Sequence, residues 1–126
     1  MLIHQDLTEK IIGAAIELHA TLGSGLLESA YAKCLKREME LRGLRVEKEV
    51  VLPVRYKGVT AETGYRIDFI VDEKVIVELK AVEALNNVHR AQILTYVKLS
   101  GLRVGLIFNF HSPKLMCKHG FDRFVI

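Results

Sequence analysis

Two short β-rich runs in the middle of the chain carry charges where an ordinary core strand carries none. The first run is residues 66–71 (RIDFIV), the second is residues 75–80 (VIVELK), and three residues separate them. The apolar residues around the charges are typical of a strand that is buried on both faces. The two runs therefore predict a buried β-hairpin that carries an aspartate, a glutamate and a lysine.

The length of the connecting turn decides whether the charged side chains share a face. Side chains alternate along a strand, so Glu78 and Lys80 point the same way. If residues 72–74 form a three-residue loop, Asp68 lies opposite Glu78, whereas a two-residue loop would place the carboxylates on different faces. In the three-residue or five-residue register the two Cβ atoms lie about 5 Å apart, close enough to share one ion.

The chemistry of this hairpin follows from its paired acids. Two adjacent carboxylates repel each other unless a cation neutralises them. Mg²⁺ prefers oxygen ligands, which suits a site of Asp68 and Glu78 completed by a substrate phosphate. Such an ion acidifies a bound water, and Lys80 would orient that water or stabilise negative charge on the phosphate. The hairpin thus predicts phosphodiester cleavage; the alternative is a hairpin whose polar face carries ordinary surface charges.

Three helices are predicted from apolar residues that recur at helical spacing. They cover about residues 7–22, 26–41 and 88–99. Gly23 is expected to cap the first helix, and Ser24 or Gly25 is expected to begin the second. A tight turn is therefore predicted between the first two helices.

Strands are predicted where apolar residues alternate with polar ones or form short runs. Residues 46–56 are expected to form one strand whose even-numbered positions share a face, with Pro53 marking an edge or a bulge. Residues 104–110 are typical of a buried strand, and residues 114–126 are expected to add one or two edge strands. A helix between two strands favours a right-handed parallel crossover. We expect an α/β protein, a mixed sheet flanked by helices, in one domain over residues 1–126.

Composition and charge limit the kinds of partner. Half of the 126 residues are hydrophobic, but no run approaches the length of a transmembrane helix, so we expect no membrane partner. The net charge of +3 is compatible with nucleic acid and equally with an ordinary solvated surface. Cys34 and Cys117 form no recognisable framework, which favours a reducing, cytoplasmic setting.

Two polar stripes at helical spacing accompany the charged hairpin. In the second helix Glu28 and Tyr31 share a stripe, and Glu28 either caps the helix start or points toward the metal pocket. In the third helix the stripe contains His89, Gln92 and Tyr96. Gln92 and Tyr96 either bind a phosphate or hold the hairpin charges in place, and His89 would line the pocket edge. Spacing alone leaves both alternatives open.

These motifs together resemble a known family. Residues 25–35 (GLLESAYAKCL) reproduce the G-x-x-E-x-x-Y-x-x-C-L signature of the GxxExxY proteins, which are grouped with the PD-(D/E)XK nuclease superfamily. The resemblance covers nearly the whole chain, from His19 through the charged hairpin to Asn109 and Phe110. One departure is Ile67, which stands where the superfamily name has a proline before the aspartate.

The resemblance implies a restriction-endonuclease-like core with the element order αβββαβ. It implies that Asp68 and Glu78 bind the metal, with the backbone carbonyl of Leu79 as a further ligand. Lys80 corresponds to the catalytic lysine of the superfamily. Glu28 corresponds to the helix acid that often accompanies the core, with a catalytic and metal-binding role.

The third helix also matches an element of the superfamily. Gln92 and Tyr96 match the Q-x-x-x-Y element of the exonuclease-like branches, so we expect Gln92 to be catalytic. Tyr96, His89 and Tyr31 are expected to contact the substrate. The resemblance thus implies a nuclease that depends on Mg²⁺ or Mn²⁺, with DNA as the favoured substrate and RNA as the alternative.

Two alternatives to a self-sufficient nuclease are left open by the sequence. The first is a non-catalytic module that binds nucleic acid or protein and keeps the nuclease fold, because the chain is small and only mildly basic. The second is a homodimer that builds its substrate groove from two chains. Neither residue spacing nor composition decides between them.

Overall fold

The computed structural model describes residues 3–61 and 65–126, and most predicted elements occur there close to their expected positions. Three helices and seven strands are found in these residues. Their bounds are α1 Gln5–Leu22, α2 Glu28–Leu41, β1 Val46–Val51, β2 Val54–Tyr56, β3 Val59–Ala61, β4 Arg66–Val71, β5 Val75–Lys80, α3 Asn87–Ser100, β6 Val104–Asn109 and β7 Phe121–Val125.

Five strands form one mixed sheet in the order β1-β4-β5-β6-β7. Strands β1, β4 and β5 are antiparallel neighbours, and the β4–β5 pair is the predicted hairpin. Helix α3 then connects β5 to β6 as a parallel pair, and β7 closes the far edge in antiparallel pairing. The predicted α/β fold, a mixed sheet flanked by helices, is therefore confirmed.

Helices cover the two faces of this sheet unequally. Buried residues of α1 and α2 pack on one face, together with Val77 and Leu79 of β5. Helix α3 covers the opposite face, where Ile76 packs. Because side chains alternate along β5, Glu78 and Lys80 point toward the α3 face, as predicted.

The charged hairpin adopts the three-residue turn that the chemistry requires. Val71 pairs with Val75 across residues 72–74, and the next two steps of the register follow regularly. The first two turn residues have φ angles of 50° and 58°, a left-handed conformation that closes the short loop. One step beyond the regular pairs, the register brings Asp68 to the level of Glu78.

The strand predicted over residues 46–56 is two strands, and this part of the prediction was wrong. Strand β1 ends at Val51, and Pro53, which lacks an N–H group, separates it from β2. The Leu52 N–H instead donates to the Tyr65 carbonyl at 2.9 Å. Since β1 is the first strand in the sheet order, Pro53 follows an edge strand, as its presence indicated.

Strands β2 and β3 form a separate two-stranded sheet that the sequence reading missed. Lys57 and Gly58 connect them, with φ angles of 46° and 83°. Positive φ at both central residues is the geometry of the two-residue hairpin turns whose twist matches paired strands. The sequence indicates a turn at Lys57 and Gly58, whereas the short strand that follows it, Val59–Ala61, was not predicted.

The even-numbered residues of β1 and its extension do not share one face. Val46 packs against the α1 and α2 side of the core, whereas Val50 and Leu52 pack on the α3 side. The cause lies at Glu49, whose φ angle of 52° breaks the regular alternation of the strand. The predicted common face is therefore wrong beyond this residue.

The turn between α1 and α2 differs from the prediction at its second half. Gly23 caps α1 as expected, with a φ angle of 75° and its N–H donating to the His19 carbonyl. Helix α2 begins later than expected, at Glu28, and its N-cap is Leu27, which offers no capping side chain. Neither Ser24 nor Gly25 begins the helix.

Two expectations concern the chain as a whole. Within residues 3–61 and 65–126, no helix is both long and apolar enough to cross a membrane. A single domain over residues 1–126 stays a prediction, since residues 1–2 and 62–64 lie outside the described residues.

Gly105 of β6 lies directly beneath α3, and its missing side chain permits their close approach. A Cβ atom there would lie 2.7 Å from Val97 Cγ2 and 3.1 Å from the Ile93 side chain.

We therefore expect Gly105→Ala to lower the free energy of unfolding by about 1–3 kcal/mol, because α3 must shift outward. Chemical denaturation measures this, with Gly25→Ala as the control, since a Cβ atom there meets nothing within 4 Å. Wild-type stability in Gly105→Ala would contradict this packing.

Candidate active site

The charged side chains of the hairpin gather where β4 and β5 part. Asp68 Oδ2 accepts a hydrogen bond from the Leu79 N–H at 2.9 Å. A carboxylate thus takes the place that a strand carbonyl would hold in a regular ladder. Glu78 lies at the matching level of β5, and its pKa responds to Asp68 through direct contact. The two carboxylates therefore lie side by side, as the three-residue turn requires.

Glu78 is an acidic side chain in a place where a charge is costly. It is only 3 % exposed, and its Oε1 has no hydrogen-bond partner among the described residues. Burial, and then the neighbouring Asp68, raise the pKa of Glu78 to about 10, although Lys80 acts in the opposite direction. Carboxylates are almost never buried unless they are paired. Glu78 Oε1 therefore needs a proton or a cation as its partner.

Lys80 is held beside this pair by a residue of α3. Its Nζ donates to Gln92 Oε1 at 3.1 Å. Of the two expectations for Gln92, the geometry favours the one in which it holds a hairpin charge in place. The ammonium group therefore has a defined position on the same face as Glu78.

Tyr96 forms part of the wall of the site. It is 6 % exposed and packs in the apolar cluster beneath α3. Burial raises its pKa, and the nearby Glu78 and Asp68 raise it further. Tyr96 therefore lies near the carboxylates, and its role as a substrate contact stays a prediction.

His89 lies at the start of α3, close to Lys80. Its Nδ1 accepts a hydrogen bond from the Asn86 N–H at 3.3 Å, while Asn86 Oδ1 accepts from the His89 N–H at 3.1 Å. Burial lowers the pKa of His89, and the charges of Lys80 and Arg90 lower it further. The neutral ring then carries its proton on Nε2, and the expected place of His89 at the pocket edge stays a prediction.

Glu28 faces the hairpin from the opposite helix. As the first residue of α2 it cannot be the third-residue partner of a capping box, so that alternative is wrong. Burial and Asp68 raise the pKa of Glu28, while Lys80 and the Ala81 N–H lower it. Glu28 and Asp68 line the same cavity, and the metal-binding role of Glu28 stays a prediction.

Tyr31 has a different role from the expected substrate contact. Its side chain is fully buried and stacks on Phe110 with ring centroids 4.8 Å apart. Its hydroxyl donates to the Gly23 carbonyl at 2.5 Å and accepts from the Leu26 N–H at 3.1 Å. Tyr31 therefore fixes the turn before α2 and, through it, the position of Glu28.

A cavity of about 480 Å³ lies beside the site, between α2 and β1. Three acidic residues and three lysines are among the residues that line it. Lys48 was not recognised from the sequence, because only its position in β1 places it near α2. The lining residues are Glu28, Ser29, Ala32, Lys33, Lys36, Lys48, Glu49, Asp68, Phe69 and Leu79.

The ligand set of the predicted metal site is only partly assembled. Among the described residues, no group of three or more His, Cys, Asp or Glu side chains is gathered closely enough to hold an ion. Asp68 and Glu78 are adjacent, and the Leu79 carbonyl points to the same side as its N–H, toward Asp68. The unpartnered oxygen of Glu78 beside a second carboxylate fits a divalent cation. Glu28 does not form a third close ligand.

Asn109 supports the site and was given no role from the sequence. It is fully buried, and its Nδ2 donates to the carbonyls of Val82 and His119, both at 2.9 Å. Its Oδ1 accepts from the Val82 N–H at 3.0 Å. Asn109 thus holds the chain that directly follows Lys80, a role that depends on contacts far apart in sequence.

The raised pKa of Glu78 predicts how the stability of the metal-free protein changes with pH. The folded state keeps a proton that the unfolded state releases above its pKa of about 4.3. Stability therefore falls as the pH rises toward 10, by up to about 1.4 kcal/mol per pH unit. We expect Glu78→Gln to remove this part of the dependence and to be more stable than the wild type in alkaline solution.

Chemical denaturation in EDTA between about pH 5 and about pH 9 checks this prediction. The contributions of groups that do not interact with Glu78 cancel in the difference between the two proteins. Parallel stability curves for the wild type and Glu78→Gln would contradict a protonated, buried Glu78.

Comparison with known proteins identifies the family of the chain. A family model of the PD-(D/E)XK nuclease superfamily matches residues 5–124, which run from the start of α1 into β7 and include the charged hairpin. No curated protein and no solved structure matches the chain at a significant level. The narrower resemblance to GxxExxY proteins stays a prediction. The chain belongs to the PD-(D/E)XK nuclease superfamily.

Proposed function

We propose that the protein is a divalent-metal-dependent nuclease that hydrolyses phosphodiester bonds. The observation that carries this proposal is the buried Glu78 carboxylate, whose Oε1 has no partner among the described residues, beside Asp68. Membership of the superfamily supports a nuclease-type function. A cation at this place neutralises two acids that otherwise need a proton.

Asp68 and Glu78, with the Leu79 carbonyl, would hold Mg²⁺ or Mn²⁺. These are oxygen ligands, and few protein ligands suffice for an ion that keeps several waters. When bound, such an ion polarises a phosphoryl oxygen and lowers the pKa of a bound water. Glu28, which faces the pair from α2, would reach the ion through water rather than directly.

Lys80 would act on the reacting phosphate. Its ammonium, fixed by Gln92, lies on the same face as Glu78, where it orients the attacking water and stabilises developing negative charge. Gln92 is a positioning residue in this scheme. The Nε2–H of His89 would donate to a phosphate oxygen at the edge of the site.

The cavity between α2 and β1 supplies a path for a polyanion. Lys33, Lys36 and Lys48 line it, next to the acid pair. Lys36 also forms an ion pair with Glu40 at 2.9 Å, so Lys33 and Lys48 are the better candidates for phosphate contacts. Positive side chains that neutralise phosphates supply affinity without sequence preference.

The substrate, the oligomeric state and the location are proposed from the sequence. DNA is the preferred substrate over RNA, and a homodimer that shares one substrate groove is the alternative to a monomer. The thiols of Cys34 and Cys117 are both free, which agrees with a reducing, cytoplasmic setting. These features are tested by the substrate range, the oligomeric state and the location of the protein.

Removal of the Lys80 ammonium is expected to abolish cleavage without unfolding the protein. Lys80→Met keeps the length of the side chain and removes its charge, so we expect a loss of at least about 10²-fold in kcat/KM. Cleavage of single-stranded DNA, duplex DNA and RNA is measured with Mg²⁺, Mn²⁺ or EDTA. Lys98→Met, at the far end of α3, is the matched control and should retain full activity.

The outcomes of this experiment separate the proposal from its rival. Metal-dependent cleavage that is lost only in Lys80→Met supports the nuclease. Full activity of Lys80→Met contradicts the proposed role of this lysine. Salt-sensitive binding without cleavage of any substrate would support the non-catalytic module.

A further inference from the structure

The small hairpin formed by β2 and β3 has no role in the site described so far. We call residues 54–61 the arm. It leaves the end of β1 and pairs only with itself, from Val54 opposite Ala61 to Tyr56 opposite Val59. A two-stranded hairpin is marginally stable alone, so an arm of this kind is expected to serve a purpose other than filling the core.

The tip of the arm exposes large apolar side chains. Tyr56 is 68 % exposed and Val59 is 64 % exposed. Because they are directly opposite each other in the antiparallel pair, they share one face. An aromatic ring placed in solvent at the end of a projecting strand pair adds little to folding and offers a flat surface to a ligand.

The charge of the arm favours an anionic ligand. Between residues 54 and 61 the sequence contains Arg55 and Lys57 and no acidic residue. The Lys57 Nζ lies 5.2 Å from the centroid of the Tyr56 ring, over one of its faces. The other face is then available for stacking, next to a positive charge that can meet a phosphate. Aromatic rings combined with basic side chains are the usual equipment for binding single strands.

The residues that enter β4 lie close in sequence to the acid pair. The chain returns to the sheet through Tyr65, which is 50 % exposed, and Arg66, the first residue of β4. Asp68 follows three residues after Tyr65, a distance of about 10 Å along a strand. Tyr65 also lies close enough to Tyr96 to influence its pKa, together with the acid pair. An exposed aromatic ring and a basic residue thus stand between the arm and Asp68 along the chain.

We propose that the arm binds the unpaired nucleotides of a single-stranded nucleic acid, with bases stacked on Tyr56 and Tyr65 and phosphates against Lys57 and Arg66. The proposal rests on the nuclease function above and names its substrate class. Bases within a duplex stack on one another and cannot reach these rings, so the arm selects single strands or single-stranded ends. DNA and RNA share this chemistry.

The test measures binding in EDTA, where no metal-dependent cleavage can occur. Fluorescence anisotropy compares a labelled oligothymidylate, an oligouridylate and a blunt DNA duplex of the same length. We expect the wild type to bind the single strands more tightly than the duplex, and the two single strands distinguish DNA from RNA. Tyr56→Ala should weaken single-strand binding roughly 5- to 100-fold, the range for loss of one stacked base. Tyr56→Phe keeps the ring and should bind within about twofold of the wild type.

Two further variants keep the test decisive if Tyr56→Ala disturbs the arm. Tyr65→Ala changes a ring outside the arm and should show a similar loss. Val125→Ser removes an exposed apolar side chain from β7, at the opposite edge of the sheet, and should bind like the wild type. Unchanged binding in both tyrosine variants, or equal losses for single strand and duplex, would overturn the proposal.

Failure of this proposal and failure of the nuclease proposal give different results. Tyrosine-dependent binding of single strands by a protein that cleaves nothing supports the arm and contradicts the nuclease. Cleavage that depends on Lys80, combined with binding that does not change in the Tyr56 and Tyr65 variants, contradicts the proposed role of the arm. The nuclease proposal is then still supported.

Discussion

The structure of the site depends on the parting of β4 and β5 at Asp68. There a carboxylate accepts the Leu79 N–H that a strand carbonyl would otherwise accept, and the opening holds a second carboxylate, Glu78, with almost no exposure to solvent. Placing two acids together in a buried position costs stability, and the cost falls on a sheet that is covered by helices on both faces. Apolar packing on both sides of β5 offsets this loss of stability. The hairpin can therefore keep a charged site within an otherwise apolar core.

Three side chains outside the hairpin hold this arrangement in place. Tyr31 bonds both ends of the turn before α2, which sets where Glu28 faces the acid pair. Asn109 secures the chain that follows Lys80, and Gln92 holds the lysine itself. Each of these residues acts through hydrogen bonds to groups that are distant or hidden from the substrate. A signature residue such as Tyr31 therefore contributes to the site by positioning it, although its place in the motif suggested direct contact.

The sequence predicted those features that depend on local periodicity. The register of the hairpin followed from the alternation of side chains and from a turn of three residues, and the parallel crossover followed from a helix between two apolar strands. The sequence could not predict the positive φ angles of Glu49 and Lys57, because residues of these types rarely adopt them. For this reason the switch of faces in β1 and the arm were both missed. Helix α2 starts without a capping side chain, so its first turn was also placed too early. The roles of Tyr31, Asn109 and Lys48 arise from tertiary contacts that spacing does not reveal.

The proposed nuclease depends on a divalent cation that is bound by the adjacent carboxylates of Asp68 and Glu78. Calorimetric titration with Mn²⁺ measures this binding directly. The wild type is compared with Asp68→Asn, whose amide oxygen can still accept the Leu79 N–H and so preserve the parting of the strands. We expect the wild type to bind about one ion per chain, as a site with few protein ligands should, and Asp68→Asn to lose that binding. Equal binding of Mn²⁺ by both proteins, or no binding by the folded wild type, would contradict the account.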